Sequence, residues 1–205
     1  MAADTESSGA SADFVHLHVH SEYSLLDGLG KVKDLVARAK ELGMPALALT
    51  DHGSMYGAIE FYQAAKAAGI KPIVGVEAYV ARRTLYDKEG EDKSSAHLLL
   101  LAKDYTGYQT LVKLVSTAHV DGFYYKPRID HDLIEKYHDG IIISSSCPSG
   151  EVARAILRDE PAEAAKIAAY YRDLVGPENY YLEVQDHGLA DQVKINRGVL
   201  EMAKR

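Results

Sequence analysis

The stretch from residue 45 to residue 80 reads PALALTDHGSMYGAIEFYQAAKAAGIKPIVGVEAYV, and it decides the fold class. A short apolar segment, Pro45 to Thr50, is followed by a segment of helical composition that runs from Gly53 to about Ala68. A second apolar segment follows, from Lys71 to Val80. Two apolar strands separated by one helix predict a β-α-β unit, in which the helix connects two parallel strands.

The same alternation extends in both directions along the chain. Three of the further predicted strands follow the β-α-β unit and one precedes it: Phe14 to His20, His97 to Ala102, Ile141 to Ser145 and Tyr180 to Val184. Apolar residues at helical spacing predict helices between most of these strands and after the last one. The chain is therefore predicted to be an α/β protein with parallel strands, arranged as an open sheet or as a barrel. We favour a barrel, because the polar residues of interest follow the C-terminal ends of the strands, where barrels gather their catalytic groups.

Length and composition limit the classes of protein that the chain can represent. With 205 residues, of which 47% are hydrophobic, one domain with one sizeable core is expected after a flexible leader over residues 1–13. The net charge of −7 excludes nucleic-acid binding over the whole surface, so any contact with DNA should be local. The single cysteine excludes an internal disulfide and favours the cytoplasm, and no apolar run could span a membrane.

Three histidines alternate along the first predicted strand, in the sequence HLHVHS. Side chains alternate between the two faces of a strand, so His16, His18 and His20 are expected to point the same way. His18 and His20 are nearest the end of the strand and are predicted to bind a metal ion together. His16 lies deeper and is predicted to be a packing residue or a residue that supports the ligands.

The two strands of the β-α-β unit supply further candidate residues. His52 comes directly after the first strand and is a predicted ligand, while Asp51 either orients a ligand or caps the following helix. Glu77 lies within the second apolar strand, where a carboxylate without a partner would be costly. Glu77 is therefore predicted to bind metal, and it could bridge two ions. The alternative is a salt bridge from Glu77 to Arg82 or Arg83.

Three more residues complete the candidate set. His97 begins one predicted strand and Cys147 follows another, so both lie at strand ends, although either could be a plain surface residue or an inert buried thiol. Asp27 precedes Gly28 and could belong to a second metal site or simply form a turn.

The seven candidates comprise four imidazoles, two carboxylates and one thiolate, a mixture that suits zinc, manganese or iron better than calcium or magnesium. So many ligands imply more than one ion. Clustered ions can activate a water molecule, neutralise phosphate charge and stabilise a leaving oxygen, which are the requirements of phosphoester hydrolysis. The sequence has no nucleophile elbow, P-loop or dinucleotide-binding fingerprint.

The chain resembles the PHP (polymerase and histidinol phosphatase) domains from Phe14 to Arg205. The resemblance rests on HLHVHS, LLDG, TDHG, GVEAY, AHLLLLAK and SSSCPSGE. The motifs SEYSLLDG, TDHGSMYGAIEFY, GFYYKPRID, SCPSGE and YLEVQDHG are typical of the branch that forms the N-terminal domain of bacterial DNA polymerase III alpha subunits. The resemblance implies a distorted (β/α)7 barrel, up to three metal ions and, where all ligands are present, a 3′-to-5′ proofreading exonuclease.

The resemblance places metal ligands at the same seven positions: His18, His20, Asp27, His52, Glu77, His97 and Cys147. Within this set, Glu77, His52 and Asp27 are the predicted catalytic residues. The family also takes ligands from an Asp-x-His motif on a last strand, and this sequence ends at Arg205 before such a strand, so a barrel truncated there is expected.

The implied partners are the 3′ end of a DNA primer, the remainder of a polymerase and other replisome subunits. Lys126 and Arg128, in GFYYKPRID, could contact a DNA phosphate or could be solvated loop charges. Two alternative functions remain open. The first is a catalytically silent scaffold that metal ions stabilise, and the second is a stand-alone phosphatase similar to histidinol phosphatase.

Overall fold

The computed structural model describes residues 14–204, so the predicted leader lies outside the described residues. Among these residues the strands are β1 (Ala46–Leu49), β2 (Lys71–Ala81), β3 (Ser95–Ala102), β4 (Phe123–Tyr124), β5 (Lys126–Ile129), β6 (Ile141–Ser144) and β7 (Tyr180–Tyr181). The α-helices are α1 (Val32–Glu41), α2 (Ala58–Ala68), α3 (Tyr105–Val120), α4 (His131–Lys136), α5 (Glu151–Leu157), α6 (Pro161–Val175) and α7 (Ala190–Met202). None of these helices is long and apolar enough to cross a membrane.

The long strand β2 organises the sheet. Strand β3 pairs with one edge of β2, while β1 and β5 pair in parallel with successive parts of the other edge. Strand β6 continues the sheet beside β3, and β7 pairs in parallel with β6. The predicted α/β class is therefore confirmed, and β1–β2 and β6–β7 are parallel as expected.

The prediction that all the strands are parallel is wrong for β2–β3 and β3–β6, which are antiparallel. The connection between β2 and β3 contains one short 3₁₀ turn, Gly90–Lys93, and no α-helix. A loop can join antiparallel neighbours, whereas parallel neighbours need a longer crossover. The segment between β2 and β3 therefore decides that these two strands run in opposite directions.

The N-terminal segment runs beside β1 but does not form the predicted strand from Phe14 to His20. The amide of Ala48 donates to the carbonyl of His16 at 3.0 Å, and the amide of Thr50 donates to the carbonyl of Val19 at 2.8 Å. Between these two hydrogen bonds the N-terminal segment advances three residues, from 16 to 19, while the chain of β1 advances two, from 48 to 50. The extra residue in the N-terminal segment interrupts a regular ladder of hydrogen bonds. His18 and His20 nevertheless both reach the carboxylate of Glu77.

The two faces of the sheet have different roles. On one face, Val76, Ala78 and Val80 alternate along β2 and pack with residues of β3, β6, α3 and α4 in the main apolar core. The other face carries a smaller apolar cluster of Ala48, Leu99 and Leu101. Glu77 and His97 lie on this second face, because Glu77 pairs with Leu99 and His97 with Tyr79 in the β2–β3 register. The sheet therefore forms the floor beneath the candidate site.

Candidate metal centre

Glu77 is the central residue of the site, and its side chain is 1% exposed. Its Oε1 atom lies 3.3 Å from Nε2 of His18 and 3.0 Å from Nδ1 of His97. Its Oε2 atom lies 3.3 Å from Nε2 of His20 and 2.8 Å from Nδ1 of His52. One carboxylate thus meets four of the predicted ligands.

The alternative partners of Glu77 lie elsewhere. Arg82 pairs with Glu91, and Arg83 pairs with Asp92 and Glu89. The salt-bridge alternative for Glu77 is therefore wrong.

A close turn after β1 brings His52 to this carboxylate. Gly53 has a φ of +58°, and a Cβ atom there would lie within 2.9 Å of the Tyr79 ring and 2.8 Å of Pro127. Only glycine adopts this conformation without strain and also fits the space. The ring of His52 then stacks on the ring of Tyr79, with centroids 5.7 Å apart.

Asp27 and Cys147 approach the centre through neighbouring histidines. Oδ2 of Asp27 lies 2.9 Å from Nε2 of His52, so the His52 ring has Glu77 at one nitrogen and Asp27 at the other. Sγ of Cys147 lies 3.3 Å from Nδ1 of His97. The structure thus brings all seven predicted residues to one location, with Asp27 at the solvent-exposed rim, where its side chain is 54% exposed.

Asp51 is buried behind the centre and holds the loop that follows His20. Its carboxylate accepts hydrogen bonds from the amide and hydroxyl of Ser21 and from the hydroxyl of Ser24. The helix-cap alternative is wrong, because α2 begins five residues later than expected, at Ala58 after Gly57. The Ser24 hydroxyl in turn accepts from the amide of His52 at 3.1 Å. Asp51 therefore supports the site indirectly.

Sequence reasoning missed two residues in contact with this cluster. Ser146, a buried residue with a φ of +63°, donates its hydroxyl hydrogen to Oε1 of Glu77 at 2.7 Å. Glu183 lies 2.7 Å from Nδ1 of His18. A signal for Glu183 was present, because, like Glu77, it is a single carboxylate within a predicted strand.

Other sequence predictions fall away from the cluster. The His16 ring is exposed and contacts Phe14 edge-on, so it is not the supporting residue that we expected. Arg128 is fully buried and donates to four backbone carbonyls, so the prediction that it could contact DNA or be a solvated charge is wrong. Lys126 is partly exposed, with its ammonium 5.1 Å from the centre of the Tyr79 ring.

The contacts within the cluster shift the pKa values of several of its buried groups. Burial opposes ionisation of Glu77, but the neighbouring imidazoles outweigh it and hold the pKa of this carboxyl far below its ordinary value. Burial lowers the pKa of His18, but its contacts with Glu183 and Glu77 outweigh this effect and raise the pKa to about 10. Burial, and then Glu77, raise the pKa of the Cys147 thiol to about 12. A cation would displace these protons and take over the role of the positive imidazoles.

The donor atoms fit metal ions better than they fit one another. Three buried atoms here have no hydrogen-bond partner within residues 14–204: Nε2 of His18, Nδ1 of His52 and Oε2 of Glu77. Their short contacts with one another lack hydrogen-bond geometry, although unpaired buried polar atoms are costly. Two groups have ligand atoms within 4.8 Å of one another, His18 with His20 and Glu77, and His52 with Glu77 and His97. The residues present therefore fit two ions that share Glu77.

The chain is similar to known proteins over nearly its whole length. The family model described as PHP domain matches residues 16–187. The DNA polymerase III subunit alpha of Borreliella burgdorferi is 46% identical over 193 residues, which are 93% of this chain and 17% of that protein. The subunit of the same name from Thermus aquaticus is 44% identical over 96% of this chain and 16% of its own length. The chain thus spans about a sixth of the length of these relatives.

A solved structure from Bifidobacterium adolescentis, named as a metal-dependent phosphoesterase, shares the fold. Its TM-score is 0.54 and its identity 17%, over 94% of this chain and 84% of its own. At this identity the likeness concerns the fold alone, and it agrees with the predicted fold class. The family model matches well over half of the residues. The chain therefore belongs to the PHP domain family.

Proposed function

We propose that this domain hydrolyses phosphodiester bonds with bound metal ions, as the 3′-to-5′ exonuclease of a replicative DNA polymerase in the cytoplasm. The observation that carries the proposal is the buried Glu77 carboxylate, which is shared by two groups of ligand atoms and lies beside two buried nitrogens that have no hydrogen bond. The polymerase assignment is supported by relatives named DNA polymerase III subunit alpha, which match nearly the whole chain. The partners would be a DNA 3′ end, the rest of the polymerase and other replisome subunits.

The proposed ligands fall into two groups that share Glu77. His18 and His20 would hold one ion with this carboxylate, and His52 and His97 would hold a second. Cys147 lies beside His97 and Asp27 beside His52, which places them where they could complete the sites or hold a third ion. Nitrogen, sulfur and carboxylate donors in one cluster suit zinc, manganese or iron. Such ions, when bound, supply Lewis acidity, activate water and neutralise the charge of a phosphate.

Several residues have roles that follow from their own chemistry. Ser146 and the buried floor of the sheet fix the orientation of Glu77. Asp27 and His52 form the part of the cluster that reaches solvent, and Nε2 of His52 lies 2.9 Å from Oδ2 of Asp27. This pair is our candidate for passing a proton to the 3′ oxygen of the shortened primer, which leaves the phosphorus atom when water attacks the terminal phosphodiester. Glu77 is the proposed bridging ligand, and these three residues are the proposed catalytic set.

The proposal is tested with the polymerase that carries this domain, purified without any separate exonuclease subunit. A primer with a mismatched 3′ end is incubated with zinc, manganese or iron, and the release of 5′-mononucleotides is measured. Mutational effects at such centres are large, and we expect His52→Ala and Glu77→Gln each to reduce release at least about 100-fold. Glu201→Gln, a change of the same charge on the exposed surface of α7, should have no effect. Equal release by all four proteins would overturn the proposal.

A catalytically silent scaffold is the second candidate, and one observation favours it. The ligands come from the N-terminal segment, the turn after β1, strands β2 and β3, and the loop after β6. Ions bound here would tie together segments that are far apart in the sequence. This alternative predicts that metal raises the melting temperature of the wild type while no nucleotide is released under any metal condition.

A further inference from the structure

The motif YLEVQDHG, residues 181–188, contains a carboxylate that the proposed function does not use. Glu183 follows the short strand β7, and its side chain is 14% exposed. A carboxylate this far from water is costly unless hydrogen-bond donors surround it. The donors around Glu183 therefore indicate why it is there.

Three side-chain groups hold the Glu183 carboxylate. The hydroxyl of Ser144 donates to Oε2 at 2.8 Å, and the amide nitrogen of the Gln185 side chain donates to Oε1 at 2.6 Å. The backbone amide of Glu183 also donates to the hydroxyl of Ser145 at 2.8 Å. The third side-chain donor to the carboxylate is Nδ1 of His18, 2.7 Å from Oε1. The carboxylate is thus fixed from several directions and faces His18.

A carboxylate lies at each nitrogen of the His18 ring, Glu183 at Nδ1 and Glu77 at Nε2, and the side-chain amide nitrogen of Gln185 lies 3.4 Å from Nδ1. An ionised carboxylate accepts hydrogen bonds only, so Nδ1 of His18 must carry the hydrogen that it shares with Glu183. The other nitrogen, Nε2, is buried without a hydrogen bond and lies 3.3 Å from Glu77. An imidazole binds a metal through an unprotonated nitrogen, and a carboxylate at the opposite nitrogen commonly fixes the tautomer and the ring orientation.

We propose that Glu183 is a positioning residue that holds His18 in the tautomer and orientation needed to bind metal through Nε2. The inference rests on the proposed metal centre and adds a residue to it. It also gives a role to the last part of the chain, because Glu183 lies 165 residues from His18. Asp27 has the corresponding place at His52, but Asp27 is half exposed and has no comparable set of donors around it among the described residues. Loss of Glu183 should therefore have the larger effect on metal binding.

The first test measures zinc affinity in competition with a chromophoric chelator, using this chain. We expect Glu183→Ala to weaken binding of the ion at His18 by about 10- to 100-fold. Glu183→Gln keeps an oxygen acceptor and should retain part of the affinity, and Gln185→Ala, which removes one of the supporting donors, should lose less than Glu183→Ala. Glu201→Gln is the matched charge control and should bind zinc as the wild type does.

The second test separates positioning from a general structural role. In zinc-loaded protein labelled with ¹⁵N-histidine, Nδ1–H of His18 should give a slowly exchanging proton signal, assigned from its absence in His18→Gln. The signal should disappear in Glu183→Ala while the signals of the other bound histidines remain. If Glu183 were only structural, its loss would lower the melting temperature of the metal-free protein and leave the zinc affinity and the His18 signal unchanged.

The outcomes distinguish this inference from the proposed function. If the wild type binds zinc, and Glu183→Ala and Glu183→Gln bind it equally tightly with the same His18 signal, the inference is overturned and the metal centre stands. If the wild type itself binds no zinc, manganese or iron, the proposed function fails and the inference fails with it. Should Glu183→Ala not fold, Glu183→Gln and Gln185→Ala give the same comparison.

Discussion

Two buried charged residues in this domain, Arg128 and Glu77, differ in whether hydrogen bonds within the protein satisfy them. Arg128 is fully buried, and its guanidinium donates to the backbone carbonyls of Gly122, Asp92, Leu85 and Asp87 at 2.9–3.2 Å. Glu77 is equally buried, yet its Oε2 atom and two of the nitrogens around it lack hydrogen bonds. Arg128 is thus satisfied by the protein itself, whereas the Glu77 cluster keeps unpaired atoms that a cation could satisfy. A buried charge with unpaired neighbours is therefore a better guide to function than burial alone.

The largest expected effect is the loss of stability when Arg128, the buried charge with satisfied hydrogen bonds, is replaced. Arg128→Ala removes the donor that four carbonyls share, so we expect it to lower the free energy of unfolding by about 3–5 kcal/mol. The loss should be the same with and without metal, as measured by urea denaturation. Lys126→Ala, a change of the same charge two residues away at a partly exposed position, should cost less than about 0.5 kcal/mol. A small effect of Arg128→Ala would show that the comparison between the two charges is wrong.

Glu77→Gln should have an effect that depends on metal. With free zinc at about 100 times its Kd, binding stabilises the wild type by about 2.7 kcal/mol. Glu77→Gln removes the carboxylate that both groups share, so most of this gain should be absent when unfolding is followed with and without zinc. An equal gain in the variant would place the bound metal elsewhere.

Cys147→Ser should change the choice of metal by a smaller amount. Thiolate favours zinc over manganese, so zinc affinity is expected to fall about tenfold, or about 1.4 kcal/mol, while manganese affinity stays the same. The raised pKa of the thiol, about 12 in the metal-free protein, means that zinc must displace a proton. Zinc binding to the wild type should therefore strengthen as pH rises, and less steeply in Cys147→Ser. Calorimetric titrations at several pH values measure both effects, and identical zinc affinities would identify Cys147 as an inert buried thiol.

The smallest effect concerns a histidine and glutamate pair that is already satisfied. Nε2 of His131 lies 3.2 Å from Glu151, and the Tyr171 hydroxyl contacts both residues. The hydrogen bond to Glu151 raises the pKa of His131 despite partial burial, so this stabilisation is complete below pH 6.5 and is lost as pH rises through the folded-state pKa. His131→Gln should therefore cost more stability at pH 6 than at pH 9, by less than about 1 kcal/mol because His131 is 44% exposed. A cost that is constant with pH would contradict this, and zinc binding should be unaffected.

The sequence allowed prediction of most of the regular structure and of the residues that meet at Glu77. Strands β2 and β3 are within two residues of their predicted bounds. These features depend on local periodicity, which a single sequence displays. The short hairpin of β4 and β5 and the antiparallel direction of β3 depend instead on which strands come together in space. No local pattern encodes that choice.

The site shows the same division between local and distant information. His18, His20 and Glu77 were predicted because each is a polar residue in an apolar strand-like segment. All seven residues stay predictions as metal ligands, and Asp27 and Cys147 differ from the rest in touching the cluster through histidines. Ser146 and Glu183 were missed because a serine after a strand is common, and because the partner of Glu183 lies at the other end of the chain.

The contact between His18 and Glu183 has a consequence for synthesis of the chain. His18 is synthesised early, but Glu183 is added to the chain only 165 residues later. This contact therefore cannot form on a nascent chain until residue 183 has left the exit tunnel. Until then His18 lacks the carboxylate that we propose fixes its ring, so we expect metal binding there to be weaker than in the folded domain.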